Sequence, residues 1–77
     1  MKLMEELELK KEFITLGQFL QVEDFVASGA EAKQMVKELP ILVNGQKEER
    51  RGRKLYATDI IEIAGRKFLI KPWKSKK

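Results

Sequence analysis

Apolar residues in the middle of the chain recur at helical spacing. Four of them lie at positions i, i+3, i+4 and i+7, which form one continuous face of a helix. They are Ala32, Met35, Val36 and Leu39. Ser28 followed by Glu31 has the spacing of an N-terminal capping box, and Pro40 cannot continue the helical hydrogen bonds. The pattern therefore predicts a helix that begins after Ser28 and stops at Leu39.

A shorter helix is predicted upstream. Thr15 and Gln18 repeat the capping-box spacing, so we expect a helix that begins at Leu16. Ile14, just before the cap, is placed to pack on Phe19 as a hydrophobic staple.

Beyond Pro40 the apolar pattern changes to that of short strands. Ile41, Leu42 and Val43 run into Asn44-Gly45, which is the strongest short signal for a tight type I′ hairpin. A second hairpin is predicted around Ala64-Gly65, which is flanked by Ile60, Ile61, Ile63, Phe68, Leu69 and Ile70. The predicted fold class is α+β, with two short N-terminal helices packed on a small antiparallel β-sheet built of hairpins.

The two ends of the chain differ from this central part. In residues 1–12, Leu7 and Leu9 alternate with charged residues, which indicates a strand or a frayed end. Residues 72–77 are rich in lysine and hold no acid, as in a solvated tail. We therefore expect an N-terminal extension over 1–12, one domain over 13–71 and a basic tail over 72–77.

Composition excludes several classes of function. The 77 residues include neither Cys nor His, which removes disulfides, thiolate metal sites and the usual general base. We therefore expect no enzymatic activity, metal, cofactor or small-molecule substrate. No apolar run approaches the roughly 18 residues of a membrane span, and the acidic N-terminus is unlike a signal peptide. We therefore expect a soluble cytoplasmic protein that has no membrane partner and is a monomer.

The charge is distributed unevenly along the chain. Residues 1–40 hold 5 basic and 8 acidic side chains, whereas residues 41–77 hold 11 basic and 4 acidic ones. The greatest density lies at Arg50, Arg51, Arg53 and Lys54. A flexible surface loop would explain this segment, but arginine forks match phosphate oxygens, so we favour a polyanion site. Composition alone does not separate RNA from DNA or from an acidic membrane surface.

Further residues carry alternative interpretations. Lys33 and Lys37 form a like-charge pair at i, i+4, which is either an ordinary solvated helix face or an extension of the basic segment. Tyr56 and Trp73 lie next to lysines, and each either covers the edge of the core or stacks on a base. Glu48 and Glu49 are expected to neutralise Arg50 or Arg51.

Taken together, these segments resemble the αL RNA-binding domain family, named after the fourth protein of the small ribosomal subunit. The matching pieces, in order over residues 14–63, are ITLGQFL, SGAEAKQMV, VNGQ, RRGRKL and DIIEI. SGAEAK with VNG and RRGRKL is similar to the stand-alone bacterial, YaaA-like subgroup. An Arg commonly stands in the family where this chain has Gly29. We therefore expect the arginines of the later segment to carry more of the phosphate binding.

The resemblance implies one RNA-facing surface formed by the two helices and the following hairpin. The residues that map onto it are Gln18, Lys33, Lys37, Lys47, Arg50, Arg51, Arg53 and Lys54. Structured RNA, with ribosomal RNA foremost, is the partner that the resemblance implies. The alternative is a protein-interaction adaptor whose basic face docks an acidic protein, with incidental affinity for polyanions. DNA binding is disfavoured, because neither a base-reading recognition helix nor a dimerisation seam is evident.

Overall fold

The computed structural model describes residues 4–73, and it contains two helices and seven strands in this range. In chain order they are β1 (Glu5–Glu8), β2 (Ile14–Thr15), α1 (Leu16–Val22), α2 (Gly29–Glu38), β3 (Ile41–Val43), β4 (Gln46–Lys47), β5 (Lys54–Leu55), β6 (Ile60–Ile63) and β7 (Arg66–Lys71). The first three residues of the expected extension and the last four of the expected tail lie outside the described range.

The strands form a five-stranded sheet in the order β1-β7-β6-β3-β4, with a separate two-stranded pair of β2 and β5. The α+β class is confirmed, but the expected all-antiparallel sheet is not, because β1 pairs parallel to β7 with Glu5 opposite Phe68. The helices are also preceded by β1 and β2 and are therefore not the first elements. Alternation of apolar and polar residues predicts a strand but says nothing about the direction of its partner, which explains this difference.

Both predicted hairpins are present. Asn44 and Gly45 have φ values of 53° and 84°, and Ala64 and Gly65 have 54° and 76°, as a type I′ turn requires at both central residues. The Asn44 side chain also joins the two hairpins. Its amide donates to Asp59 Oδ1 at 3.0 Å, and its Oδ1 accepts from the Ile60 N–H at 2.9 Å. The turn at residues 44–45 is therefore fixed to the start of β6.

The helices begin at the predicted caps. Thr15 and Gln18 form the reciprocal capping box of α1, with distances of 3.0 and 3.2 Å. At α2 the Ser28 hydroxyl accepts from the Glu31 N–H at 3.3 Å, whereas the Glu31 carboxylate accepts from Ala27 N–H, one residue before the cap. Ser28 therefore acts as the predicted N-cap. The capping box is not reciprocal, because the Glu31 carboxylate bonds the N–H of Ala27 instead of the N–H of Ser28.

The core lies between the helices and the inner face of the sheet. Phe19 of α1 packs edge-on against Phe68 of β7, with ring centroids 5.0 Å apart. Of the predicted apolar face of α2, Ala32 and Val36 are buried, while Met35 and Leu39 are partly buried against the core. The opposite side of α2 therefore faces solvent. No helix within residues 4–73 is long and apolar enough to cross a membrane.

Candidate nucleic-acid interface

The basic segment, residues 50–54, lies along the start of α1. The N–H groups of Leu16 and Gly17 donate to the carbonyl oxygens of Arg53 and Arg51, each at 2.8 Å. These bonds continue the β2–β5 pairing, in which Thr15 is opposite Lys54. A Cβ at Gly17 would lie 3.3 Å from the Arg51 carbonyl oxygen, so the glycine allows this close approach. The backbone of the basic segment is therefore held against α1 by hydrogen bonds.

Glu48 holds two arginines of the basic segment. Its side chain is almost fully buried and accepts from Arg50 Nε at 2.8 Å, Arg50 Nη2 at 3.1 Å and Arg53 Nη1 at 2.9 Å. The Arg50 backbone N–H donates to the same carboxylate at 2.9 Å. Hydrogen bonds from the Arg50 side chain lower the pKa of Glu48 from 4.5 to about 2, although burial acts in the opposite direction.

Arg51 differs from the other two arginines because it makes no ion pair within residues 4–73. Its Nη1 lies 3.4 Å from the position that a Cβ on Gly29 would occupy, so its guanidinium lies beside the first turn of α2. A cleft of about 350 Å³ separates the two helix starts here. Its lining includes Gln18, Gln21, Gly29, Arg51 and Gly52.

Two lysines continue this cationic surface along α2. Gly29, Lys33 and Lys37 are spaced by four residues, and residues at this spacing lie one above the other on a helix. Both lysines are exposed and neither forms an ion pair in the described part of the chain. Arg51 therefore stands at the N-terminal end of a row that Lys33 and Lys37 continue. The positive end of the helix dipole lies at the same end.

The remaining predicted residues lie in different surroundings. Lys47 is on β4 at the sheet edge, with its Nζ 3.3 Å from Glu49. Lys54 has its Nζ 4.9 Å from the ring centroid of Phe13. The structure therefore brings Gln18 and Arg51 to one cleft and places Lys33 and Lys37 beside it, while Arg50 and Arg53 converge on Glu48.

Sequence reasoning left two features of this surface undetected. The expectation that Glu48 and Glu49 neutralise Arg50 or Arg51 holds for Arg50, but the further partners are Arg53 and Lys47. Phe13, which contacts both Lys54 and Tyr56, was not identified at all. Its position follows from the cross-strand register, in which Ile14 lies opposite Leu55, and the local sequence does not specify that register.

The charges that remain available to a ligand are fewer than the sequence suggests. Glu48 compensates one charge of the Arg50 and Arg53 pair, whereas Arg51, Lys33 and Lys37 have no carboxylate partner among the described residues. A row of exposed cations beside a cleft whose lining includes Gln18, Gln21 and Arg51 can attract a chain of anions and hold it through charge-assisted hydrogen bonds.

Comparison with known proteins identifies the family. The chain is 48% identical over 59 residues to the probable ribosome maturation protein RlbA of Bacillus subtilis (strain 168), an overlap that covers 77% of this chain and 83% of that protein. A family model described as S4 domain matches residues 7–71, which include both helices, the basic segment and the last strand. The chain therefore belongs to the S4 domain family.

Proposed function

We propose that this chain binds structured RNA, with ribosomal RNA as its target. The observation that carries the proposal is the row of Arg51, Lys33 and Lys37, three cations without carboxylate partners in the described part of the chain, beside a cleft that also contains Gln18. The name of the similar protein RlbA refers to ribosome maturation, which supports the ribosome as the place of action.

The chemistry of the surface favours recognition of backbone and shape. A-form RNA presents phosphates and sugar hydroxyls, whereas its base edges lie in a deep groove that side chains do not reach. Arg51 supplies a planar fork that can hold two phosphate oxygens, and the two lysines supply point charges. Gln18 is exposed at the cleft, and because its Oε1 accepts from the Thr15 N–H, its Nε2 group remains to donate to a ribose hydroxyl.

The pairing of Glu48 supports a different role for Arg51 than for Arg50 and Arg53. Arg50 and Arg53 set the shape of the basic segment through the buried carboxylate, and Arg51 contacts the phosphate. Arg51 is therefore the better single probe of binding, because its replacement leaves no buried charge without a partner. We also propose that the domain acts as a monomer in the cytoplasm and without catalysing a reaction.

The test is a salt titration of binding to ribosomal RNA. We expect Arg51→Gln to make the slope of log affinity against log salt shallower by about 0.7 to 0.9, the value of one phosphate contact. Lys33→Gln with Lys37→Gln should change it by roughly twice as much. Lys67→Gln is the matched control, because Lys67 is an exposed cation on β7, which contributes no residue to the cleft lining.

The same assay distinguishes RNA binding from the adaptor alternative. Ribosomal RNA should bind more tightly than duplex DNA or polyglutamate at equal salt. If the Arg51 and lysine variants behave like Lys67→Gln, or if all three polyanions bind equally, RNA recognition by this surface is contradicted and an acidic protein partner becomes the better explanation. Circular dichroism of each variant verifies that the fold is retained.

A further inference from the structure

Two aromatic rings lie side by side at the far end of the basic segment. Phe13 precedes β2 and Tyr56 follows β5, and the register of Ile14 with Leu55 places them as the next opposite pair. Their ring centroids are 5.8 Å apart with an angle of 53° between the planes. Tyr56 is nevertheless 49% exposed, which makes it one of the large hydrophobic side chains that the fold leaves at the surface.

The position of Tyr56 is fixed although its ring is open. Its backbone N–H donates to Asp59 Oδ2 at 2.8 Å, and its carbonyl oxygen accepts from the Asp59 N–H at 3.0 Å. Phe13 supports the ring from the side. Within residues 4–73 the Tyr56 hydroxyl forms no hydrogen bond, so the fold makes no use of the polar end of this side chain.

A cation accompanies the aromatic pair. Lys54 and Tyr56 are both exposed while Leu55 between them is buried, so the two side chains lie on the same side of the extended segment. The Lys54 ammonium is 4.9 Å from the Phe13 ring centroid and has no carboxylate partner among the described residues. An aromatic face next to an unpaired ammonium suits a nucleotide, because the base stacks and the phosphate pairs with the charge.

This aromatic site is continuous with the proposed phosphate surface. The ladder from Leu16 and Gly17 to Arg53 and Arg51 extends the β2–β5 pair that carries the two rings. Arg51 and Tyr56 are five residues apart, a separation of at most about 18 Å in an extended chain. One RNA strand of a few nucleotides can therefore contact both.

We propose that Tyr56, supported by Phe13 and with Lys54 on the adjacent phosphate, stacks an unpaired base of the bound RNA. This inference rests on the proposed RNA binding and specifies it further: the ligand is a duplex that ends in, or is interrupted by, at least one unpaired nucleotide. The phosphate row holds the paired part, and the aromatic site holds the unpaired base.

The test compares three RNA hairpins of the same stem. One has a single-stranded 3′ extension that contains 2-aminopurine, one has the same extension with abasic sites, and one has no extension. We expect wild type to bind the first most tightly and to quench its fluorescence. Tyr56→Leu should weaken binding to that RNA by about 5- to 150-fold, the loss expected for one base–aromatic stack. Tyr56→Phe and Tyr56→Trp should retain binding.

Two controls separate this proposal from RNA binding in general. Tyr56→Leu should bind the blunt hairpin like wild type and with an unchanged salt slope, because no phosphate contact is removed. If wild type binds the abasic and 2-aminopurine extensions equally, stacking is contradicted even when Arg51→Gln still makes the salt slope shallower, and a protein partner becomes the explanation for the exposed Tyr56 ring. If wild type binds none of the hairpins, both proposals are contradicted. The abasic comparison needs only the wild-type protein, so it holds even if a Tyr56 variant does not fold.

Discussion

Glu48 is a buried carboxylate whose partners are arginines of a surface segment. Its residual exposure is only 6%, and most of its acceptor capacity is used by Arg50 and Arg53. A carboxylate in this position draws two guanidinium groups towards the protein and limits the backbone conformations that the segment can adopt. The conformation of the backbone that carries Arg51 therefore depends on a buried residue that Arg51 does not itself contact through an ion pair.

We expect Glu48→Gln to destabilise the fold by about 1 to 3 kcal/mol at neutral pH, since it loses hydrogen bonds to charged partners. The pKa of Glu48 is lowered from 4.5 to about 2, so its contribution is fully present above about pH 5 and disappears as pH falls towards 2. Urea melts of wild type and variant should therefore differ most at pH 7 and converge near pH 2.

Glu49→Gln is the matched control for this experiment. Glu49 pairs with Lys47 at an exposed site, so its replacement should change the urea midpoint little at any pH. A wild-type advantage over Glu48→Gln that stays constant from pH 7 to pH 2 would contradict the assigned role of the carboxylate.

The helix caps were predictable at the residue scale and the Glu48 cluster was not. Thr15 and Gln18 are three residues apart, so their bonds depend on local backbone geometry alone. Glu48 and Arg53 meet only because the chain reverses between β4 and β5, and that reversal depends on how residues 51–53 pair with α1. Nothing in the local sequence specifies the pairing.

At the scale of elements, α2 carries a buried apolar face and an exposed basic face. Ala32 and Val36 pack into the core, while Lys33 and Lys37 face solvent beside the cleft. Because one rigid helix carries both sets, the core packing fixes where the two cations stand. Changes to the cap of this helix should therefore affect stability without altering the cationic row directly.

Ser28→Ala should lower the free energy of unfolding by about 1 kcal/mol, since the hydroxyl accepts one of the N–H groups that the first turn leaves without a helical partner. Denaturant melts give this value, and RNA affinity should fall only as far as the folded fraction does. Ala27→Ser is the matched control, because it adds a hydroxyl outside the cap. An unchanged midpoint for Ser28→Ala, or an affinity loss far larger than the unfolded fraction explains, would contradict a purely structural role.

The hairpins and helices followed from local patterns, whereas the partner of β1 did not. Asn44-Gly45 and Ala64-Gly65 adopt the positive φ values that a two-residue turn needs, and such turns specify their own antiparallel strands. β1 has no turn connecting it to β7. Its parallel register, with Leu7 opposite Ile70, is selected by burial in the finished sheet.

At the scale of the whole molecule, β1 is one edge strand of the sheet and covers the longer strand β7. Leu9, just beyond it, is buried, and its N–H donates to the Lys71 carbonyl oxygen at 3.1 Å. The Glu5 carboxylate accepts two hydrogen bonds of 2.7 Å from Arg66, whose guanidinium also lies over the rings of Phe25 and Phe68. Phe25 lies in the loop between the two helices. The pair of Glu5 and Arg66 therefore connects β1 to that loop.

Deletion of residues 1–9 should lower the thermal midpoint and promote self-association, because the six-residue β7 would replace the short, acidic β1 as the edge strand. Light scattering and thermal melts measure the two effects. Glu5→Gln serves as the control, since it weakens the pair with Arg66 while leaving the β1–β7 backbone bonds in place. A truncated chain that melts like wild type and remains monomeric would show that β1 adds little to the fold.

The pairing of β1 with β7 also has a consequence for synthesis of the protein. Glu5 and Phe68 are opposite each other in the sheet although 62 residues separate them along the chain. During translation the first strand therefore emerges long before its partner exists, and Leu7 and Leu9 stay exposed until the last strand has been made. We therefore expect closure of the sheet by β1 to be a late folding event, because it joins residues at opposite ends of the described chain.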